Sequence, residues 1–182
     1  MAEVRIIGGS WKRSKLPVAD KPGLRPTPDR VRETLFNWLG QDLSGWRVLD
    51  AFAGSGALGF EAASRGAAEV LLLERDAELC RSLKASRTRL KAEDRLQVEQ
   101  ADALAWMARC APARYELVFL DPPFQQELFD AALKAAAPLL VPGGFIYLES
   151  PRPLEPAPEL GLKAWRQAKA GAVHSQLLQR SG

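Results

Sequence analysis

Histidine and cysteine are scarce in this chain of 182 residues, which has one of the first and two of the second. His174 alone cannot build a histidine-based metal site. We expect it on a strand near the C-terminus, without the role a Ser-His-Asp triad would give it. Cys80 and Cys110 lie far apart and form no CxxC pair, which excludes zinc-finger and thioredoxin-like readings. A disulfide framework is not expected, and a reducing compartment fits. No apolar run approaches the ~18–20 residues of a membrane span. The stretch Met1–Arg5 lacks the apolar core of a signal peptide. The expectation is a cytoplasmic protein without metal or membrane contact. Hydrophobic residues make up 47% and charged residues 26%, enough for a core that needs no staple.

Charge is small in total and uneven in place. The net of +3 hides a balance of +5 over residues 1–32, −5 over 33–151 and +3 over 152–182. Basic ends around a mildly acidic middle suggest a polyanion that meets the ends, although a solvated Lys/Arg face has the same composition. Trp11 stands among Lys12, Arg13 and Lys15.

Two short runs flank Gly8-Gly9 and read as a hairpin or extended arm. Prolines 17, 22 and 26 make the next stretch irregular. Thr27 is expected to cap a helix whose first residue is Pro28, with Val31, Leu35, Trp38 and Leu39 on its apolar side and Gly40 as its stop. From Arg47 strands and helices alternate. The strands are Arg47–Asp50, Glu69–Leu73, Leu96–Glu99, Tyr115–Leu120 and Phe145–Glu149. The helices are one ending at Arg65, then Asp76–Leu90, Ala103–Cys110 and Gln126–Ala136. Pro142-Gly143-Gly144 reads as a turn, and 151–158 as a stiff connector. Leu162–Lys169 and Val173–Gln179 flank Gly171 as a hairpin closing the sheet edge. The expected fold is α/β: a mostly parallel Rossmann-like sheet with an antiparallel C-terminal hairpin strand and helices on both faces. A short basic N-terminal extension, 1–26, precedes a unit spanning 27–182.

Gly54-Ser55-Gly56-Ala57-Leu58-Gly59 is a GxGxxG turn between a strand and a helix, with Glu74 twenty residues after Gly54. By itself this pattern suggests a dinucleotide oxidoreductase. Asp50, at the end of the first strand beside the turn, argues otherwise. It repels a pyrophosphate and holds an ammonium group. S-adenosylmethionine carries such a group, a ribose diol for Glu74 and an adenine amine for Asp102. Asp102 reads equally well as a helix cap, Asp50 less so.

Val118-Phe119-Leu120-Asp121-Pro122-Pro123-Phe124 ends a strand in a turn locked by two prolines. The amine of a nucleobase is a poor nucleophile because its lone pair is delocalised into the ring. Fixed acceptors for its two N–H groups, the Asp121 carboxylate and the Pro122 carbonyl, draw the nitrogen toward a tetrahedral form. Phe124 is placed to stack on an extruded base. The bland alternative is a good strand terminator.

With RIIGGSWKRSKL, RPTPDRVRETLFNWL, VLDAFAGSGALGFEAASRGA, LLERD and FLDPPF in order, the chain resembles a class I S-adenosylmethionine-dependent methyltransferase. More closely it resembles the RsmD family of bacterial 16S rRNA guanine-N2 methyltransferases. The resemblance implies that Asp50, Ala53, Gly54, Ser55 and Gly56 hold the methionine part of the donor. It places Glu74 on the ribose with Arg75 beside it, and Asp102 and Ala103 at the adenine. Arg25, Pro26 and Thr27 close over the donor, and Asp121, Pro122, Pro123 and Phe124 hold the guanine. It also implies 16S rRNA as partner, in the small subunit or an assembly intermediate, and a monomer. Trp11, Lys12, Arg13, Lys15, Arg30 and Arg32 are the RNA contacts expected from the basic N-terminal segment. Pro28 and Arg13 depart from the family pattern, Arg13 in a segment that often carries glycine. Adenine-N6 methylation of DNA or RNA is the alternative, since DPPF alone does not choose the base.

Overall fold

The computed structural model describes residues 2–22, 24, 26–122 and 126–182, apart from the side chains of Gln126 and Glu127. The chain opens with an antiparallel pair, β1 (Ala2–Arg5) and β2 (Lys15–Val18), followed by helix α1 (Asp29–Leu39). Then come β3 (Arg47–Asp50), α2 (Ala57–Ser64), β4 (Glu69–Glu74), α3 (Ala77–Arg89), β5 (Leu96–Gln100) and α4 (Ala103–Arg109). The remainder is β6 (Tyr115–Leu120), α5 (Gln126–Ala136), β7 (Leu140–Ser150), β8 (Leu162–Ala170) and β9 (Val173–Arg180).

Seven strands form one sheet in the order β5-β4-β3-β6-β7-β9-β8. The first five run parallel, and β9 inserts antiparallel between β7 and β8. Alternation along the buried strands sends residues to two apolar layers. Val48, Leu72, Phe119, Tyr147 and Leu177 meet α1, α2 and α3 on one side, while Leu49, Leu73, Val118, Leu148 and Leu178 meet α4 and α5 on the other. The connections change sides between β3 and β6. Their carboxyl ends therefore border the crevice in which open α/β sheets bind ligands.

Helix α1 departs from its sequence reading at both its start and its buried side. Asp29 is its first residue and Pro28 its N-cap without a side-chain bond, because the Thr27 hydroxyl is used elsewhere. Its buried side is Val31, Arg32, Leu35, Phe36 and Leu39, so Arg32 and Phe36 join the expected stripe while Trp38 packs half-buried at its border. The Pro142–Gly144 segment, expected as a turn, lies within β7, and its pairing with β6 shifts register between Tyr115 and Leu117. The extra length is absorbed by this irregularity rather than by a separate loop.

The N-terminal hairpin buries Val4, Ile6, Leu16 and Val18 in the layer that holds α1 and α2. One carboxylate fixes it there. Glu61 of α2, fully buried, accepts the backbone N–H groups of Ile7 and Gly8 at 2.9 and 3.0 Å. The same carboxylate pairs with Arg32 at 3.0 Å and Arg65 at 2.9 Å.

Candidate active site

A cavity of about 920 Å³ lies over the carboxyl ends of β3, β4 and β6. Its size suits a nucleoside-sized ligand. Thr27, Asp50, Ala53, Gly54, Ser55, Glu74, Arg75, Asp102 and Ala103 line it, together with Asp121 and Pro122. The residues singled out between Thr27 and Pro122 therefore share one space. Arg25, Pro123 and Phe124 lie outside the described residues.

The glycine turn is built from specific contacts. Gly54 and Gly56 take positive φ values of 56° and 83°, conformations that a β-carbon disfavours. A β-carbon on Gly59 would lie 2.2 Å from Leu72, so only glycine lets α2 approach the sheet this closely. Gly56, expected to touch the donor, is buried beneath Phe60 and Leu83 as the N-cap of α2 and is absent from the cavity wall. Its part is to shape the turn.

Four carboxyl groups stand at the ends of four adjacent strands. Glu74 closes β4, and its two oxygens accept the N–H groups of Gly54 (3.0 Å) and Asp76 (2.8 Å). Asp50 closes β3 and accepts the Gly59 N–H at 3.0 Å. Asp121 follows β6. Glu149, next to last in β7, accepts the Thr27 hydroxyl at 2.8 Å and the Tyr147 hydroxyl at 3.1 Å, both on Oε2. The strand pleat puts all four on the α1–α2–α3 side. Asp102 caps α4 by accepting the Ala105 N–H at 3.0 Å with Oδ1, and it also faces the cavity, so the two readings of that residue coexist.

Crowding and burial push three of these acids, Asp50, Asp121 and Glu149, toward their neutral forms. Asp50 is pushed up to about 7, chiefly by burial and further by Glu74 and Glu149, against the Gly59 hydrogen bond. Asp121 is raised well above the carboxylate range by burial, then by the charges of Glu149 and Asp50. Burial also raises Glu149, against its hydrogen bonds from Thr27 and Tyr147. A space that makes carboxylates costly in this way favours a cationic ligand, which lowers the cost of each ionised group.

Glu149, Lys21, Leu24 and Val173 belong to the cavity wall and were not read from the sequence. Glu149 had a signal: it ends an apolar strand with a carboxylate, as do Asp50 and Glu74. Lys21 lines the wall because it pairs with Asp76 (2.8 Å) and Glu78 (3.0 Å) at the start of α3, drawing the segment after β2 across the cleft.

Arg32 is corrected outright as an RNA contact. It is fully buried, bonded to Asp29, to Glu61 and to the carbonyls of Arg5 and Thr27. Trp11 is half-buried against Phe60, ring centroids 6.4 Å apart, with the Arg95 guanidinium 5.7 Å from its ring; these contacts use the ring as packing. Lys12, Arg13, Lys15 and Arg30 are exposed. Lys15 sits where its carbonyl accepts from Arg89, the last residue of α3. Since the N-terminus of α3 borders the cavity, the Lys12–Lys15 cluster lies about 20 Å away, at the opposite end of the sheet.

Fold and site together define a methyltransferase of Rossmann-like fold. Residues 4–179 match the family model described as conserved hypothetical protein 95, and the chain belongs to that family. It is 42% identical over 185 residues to the ribosomal RNA small subunit methyltransferase D of Escherichia coli K12, covering 98% of this chain and 90% of that one. It is 43% identical over 152 residues to the protein of the same name from Haemophilus influenzae, covering 81% and 79%. A solved Escherichia coli chain assigned as a methyltransferase superposes with a TM-score of 0.87 at 41% identity, covering 100% of this chain and 99% of that one.

Proposed function

We propose that this protein transfers a methyl group from S-adenosyl-L-methionine to the exocyclic N2 of a guanine in 16S rRNA. The observation that carries this reading is the row of carboxyl groups at the ends of β4, β3, β6 and β7 around one cavity. Asp50 is placed for the ammonium of the donor, Glu74 and Arg75 for its ribose, Asp102 and Ala103 for its adenine. Ala53, Gly54 and Ser55 offer the turn between them, and Thr27 with the segment before it covers the opening. The donor supplies an electrophilic methyl group on a sulfonium.

Asp121 and the Pro122 carbonyl accept the two N–H bonds of the target amine and bring its lone pair toward the methyl carbon. The N–C bond forms as the C–S bond breaks, giving S-adenosylhomocysteine. The proton lost from nitrogen passes to Asp121, whose raised affinity for protons suits a receiver. Catalysis is then positioning with preorganised acceptors. Pro123 and Phe124 keep the roles the resemblance implies, of locking the turn and stacking on the base.

Glu149 favours guanine over adenine. Among the described residues its hydrogen bonds fall on Oε2, leaving Oε1 for a ligand beside Asp121. A guanine edge presents N1–H next to the N2 amine, two donors in a row for carboxylates. Adenine presents an acceptor at N1, which a carboxylate repels.

On this reading residues 1–26 are an accessory of the 27–182 unit. Arg30 meets RNA near the cleft, and Lys12, Arg13 and Lys15 meet it farther off. The protein acts as a monomer in the cytoplasm, on the small subunit or an assembly intermediate. Among the described residues no helix is long and apolar enough to cross a membrane. The test is methylation of small-subunit particles and naked rRNA with labelled donor, followed by digestion to nucleosides. Label in N2-methylguanosine is expected, and label in N6-methyladenosine overturns the choice of base.

A further inference from the structure

The acidic cleft raises a problem for an RNA substrate. Four carboxyl groups surround the place where the target base must sit, and the exposed lysines of the N-terminal hairpin are at the other end of the sheet. A polyanion needs a cationic surface that reaches the rim. The structure offers one that composition left undecided, the hairpin of β8 and β9.

Its place follows from strand direction. β9 runs antiparallel to β7 and pairs His174 with Ser150, so the β8–β9 turn stands at the same end of the sheet as Glu149. Val173, just past that turn, lines the cavity. Residues 161–182 contain Lys163, Arg166, Lys169 and Arg180 and no aspartate or glutamate. β8 is the outer edge of the sheet, and every residue from Lys163 to Lys169 is exposed. Trp165 is 46% exposed, with the Arg166 guanidinium 4.8 Å from its ring.

The register adds a second point. Lys163 and Arg166 are three apart and in a regular strand point to opposite faces. Pairing shifts by one residue between Ala164 and Arg166, so Lys163 faces Gln179 and Arg166 faces Leu177. Those partners are two apart, which returns both cations to one face, the side of the sheet that carries α1 and its exposed Arg30. Lys169 faces His174 beside the turn, on the other face of the strand, so the three cations run along the edge from the rim at Lys169 to its far end at Lys163.

We propose that the β8–β9 hairpin is the docking surface for the RNA backbone flanking the target nucleotide. Lys163, Arg166 and Lys169 hold phosphates, and Trp165 offers a face to an unstacked base. The assignment rests on the RNA reading above and extends it to a surface. Cations on an edge strand also serve to repel a second edge, but that task has no use for an exposed indole.

The test uses the full chain with Lys163, Arg166 and Lys169 all changed to glutamine, alongside a second variant carrying Lys12→Gln, Arg13→Gln and Lys15→Gln. The probe is a fluorescein-labelled single-stranded RNA of mixed sequence, read by anisotropy over a series of salt concentrations. The hairpin variant is expected to bind about tenfold or more weakly, with the slope of log K against log salt reduced by about 2, near 0.7 for each phosphate that is no longer neutralised. The second variant is expected to lose less. A separate Trp165→Ala variant should weaken binding with the salt slope unchanged. Unaltered binding and slope in the hairpin variant overturn the proposal, above all if sedimentation then shows that it self-associates, which assigns the cations to guarding the edge. Donor binding is measured in parallel and reports that the variants are folded. Failure of the wild type to methylate any RNA overturns the functional reading instead, because the anisotropy result does not depend on turnover.

Discussion

Asp121 and Asp50 line one cavity and have different duties under the proposed function, and single substitutions separate them. Asp121→Ala removes an acceptor and proton receiver, so methyl transfer is expected to fall by at least about 10²-fold, while donor affinity measured by calorimetry stays within about twofold. Unchanged turnover would remove Asp121 from the mechanism. Asp50 titrates near pH 7 in the ligand-free protein and must be ionised to hold an ammonium group. Donor affinity should therefore climb as pH rises from 5.5 toward about 7, by up to about tenfold per unit, and level off above. Asp50→Asn should bind weakly with a flat profile. A flat profile in the wild type contradicts this role. A third residue tests backbone strain. Arg13 holds φ at 76°, a conformation that costs a side chain about 1–2 kcal/mol. Arg13→Gly is expected to raise stability by about 0.5–1 kcal/mol in urea unfolding, and a loss would show that the Arg13 side chain contributes more than its strain costs.

Elements divide sharply between what the sequence discloses and what it hides. Each parallel strand was legible because buried β runs are short, apolar and bounded by turn residues, and the glycine turn and Asp-Pro-Pro were legible because both sit at strand ends. Arg32 was not. A charged side chain between Val31 and Leu35 reads as exposed, and its partner Glu61 lies 29 residues away on another helix. Glu149 escaped for a related reason: its hydroxyl partner Thr27 is 122 residues distant. Trp38 stays half-buried at the border of the layer while Phe36 and Arg32 are fully buried beside it. The buried ionic cluster makes a firm prediction. Arg32→Ala leaves Glu61 with one of its two guanidinium partners in an apolar layer and should cost about 3–5 kcal/mol, seen as a shifted urea midpoint with little change in slope. A cost under about 1 kcal/mol would mean that Arg65 alone satisfies Glu61.

At the scale of the whole molecule, the row of acids ties stability to pH. Asp50, Asp121 and Glu149 all have raised affinities for protons in the folded chain. Above about pH 4 the native state therefore binds more protons than the unfolded state, so stability falls as pH rises, by up to about 1.4 kcal/mol per unit for Asp50, whose window closes near 7. The ligand-free protein should melt at a higher temperature at pH 5 than at pH 8. A cationic ligand should narrow the gap by stabilising the ionised forms. Equal melting temperatures in the ligand-free protein would show that these carboxyl groups are better solvated than their surroundings imply.

Glu61 also sets an order of events during synthesis. The β1–β2 hairpin leaves the ribosome before α2, and the carboxylate that accepts the Ile7 N–H lies 54 residues later. At ordinary elongation rates of 5–20 residues per second that anchor arrives about 3–11 s afterwards. Until then Val4, Ile6, Leu16 and Val18 have no layer to enter, and a two-stranded hairpin alone is marginal in water. The hairpin is thus secured only by a helix made well after it.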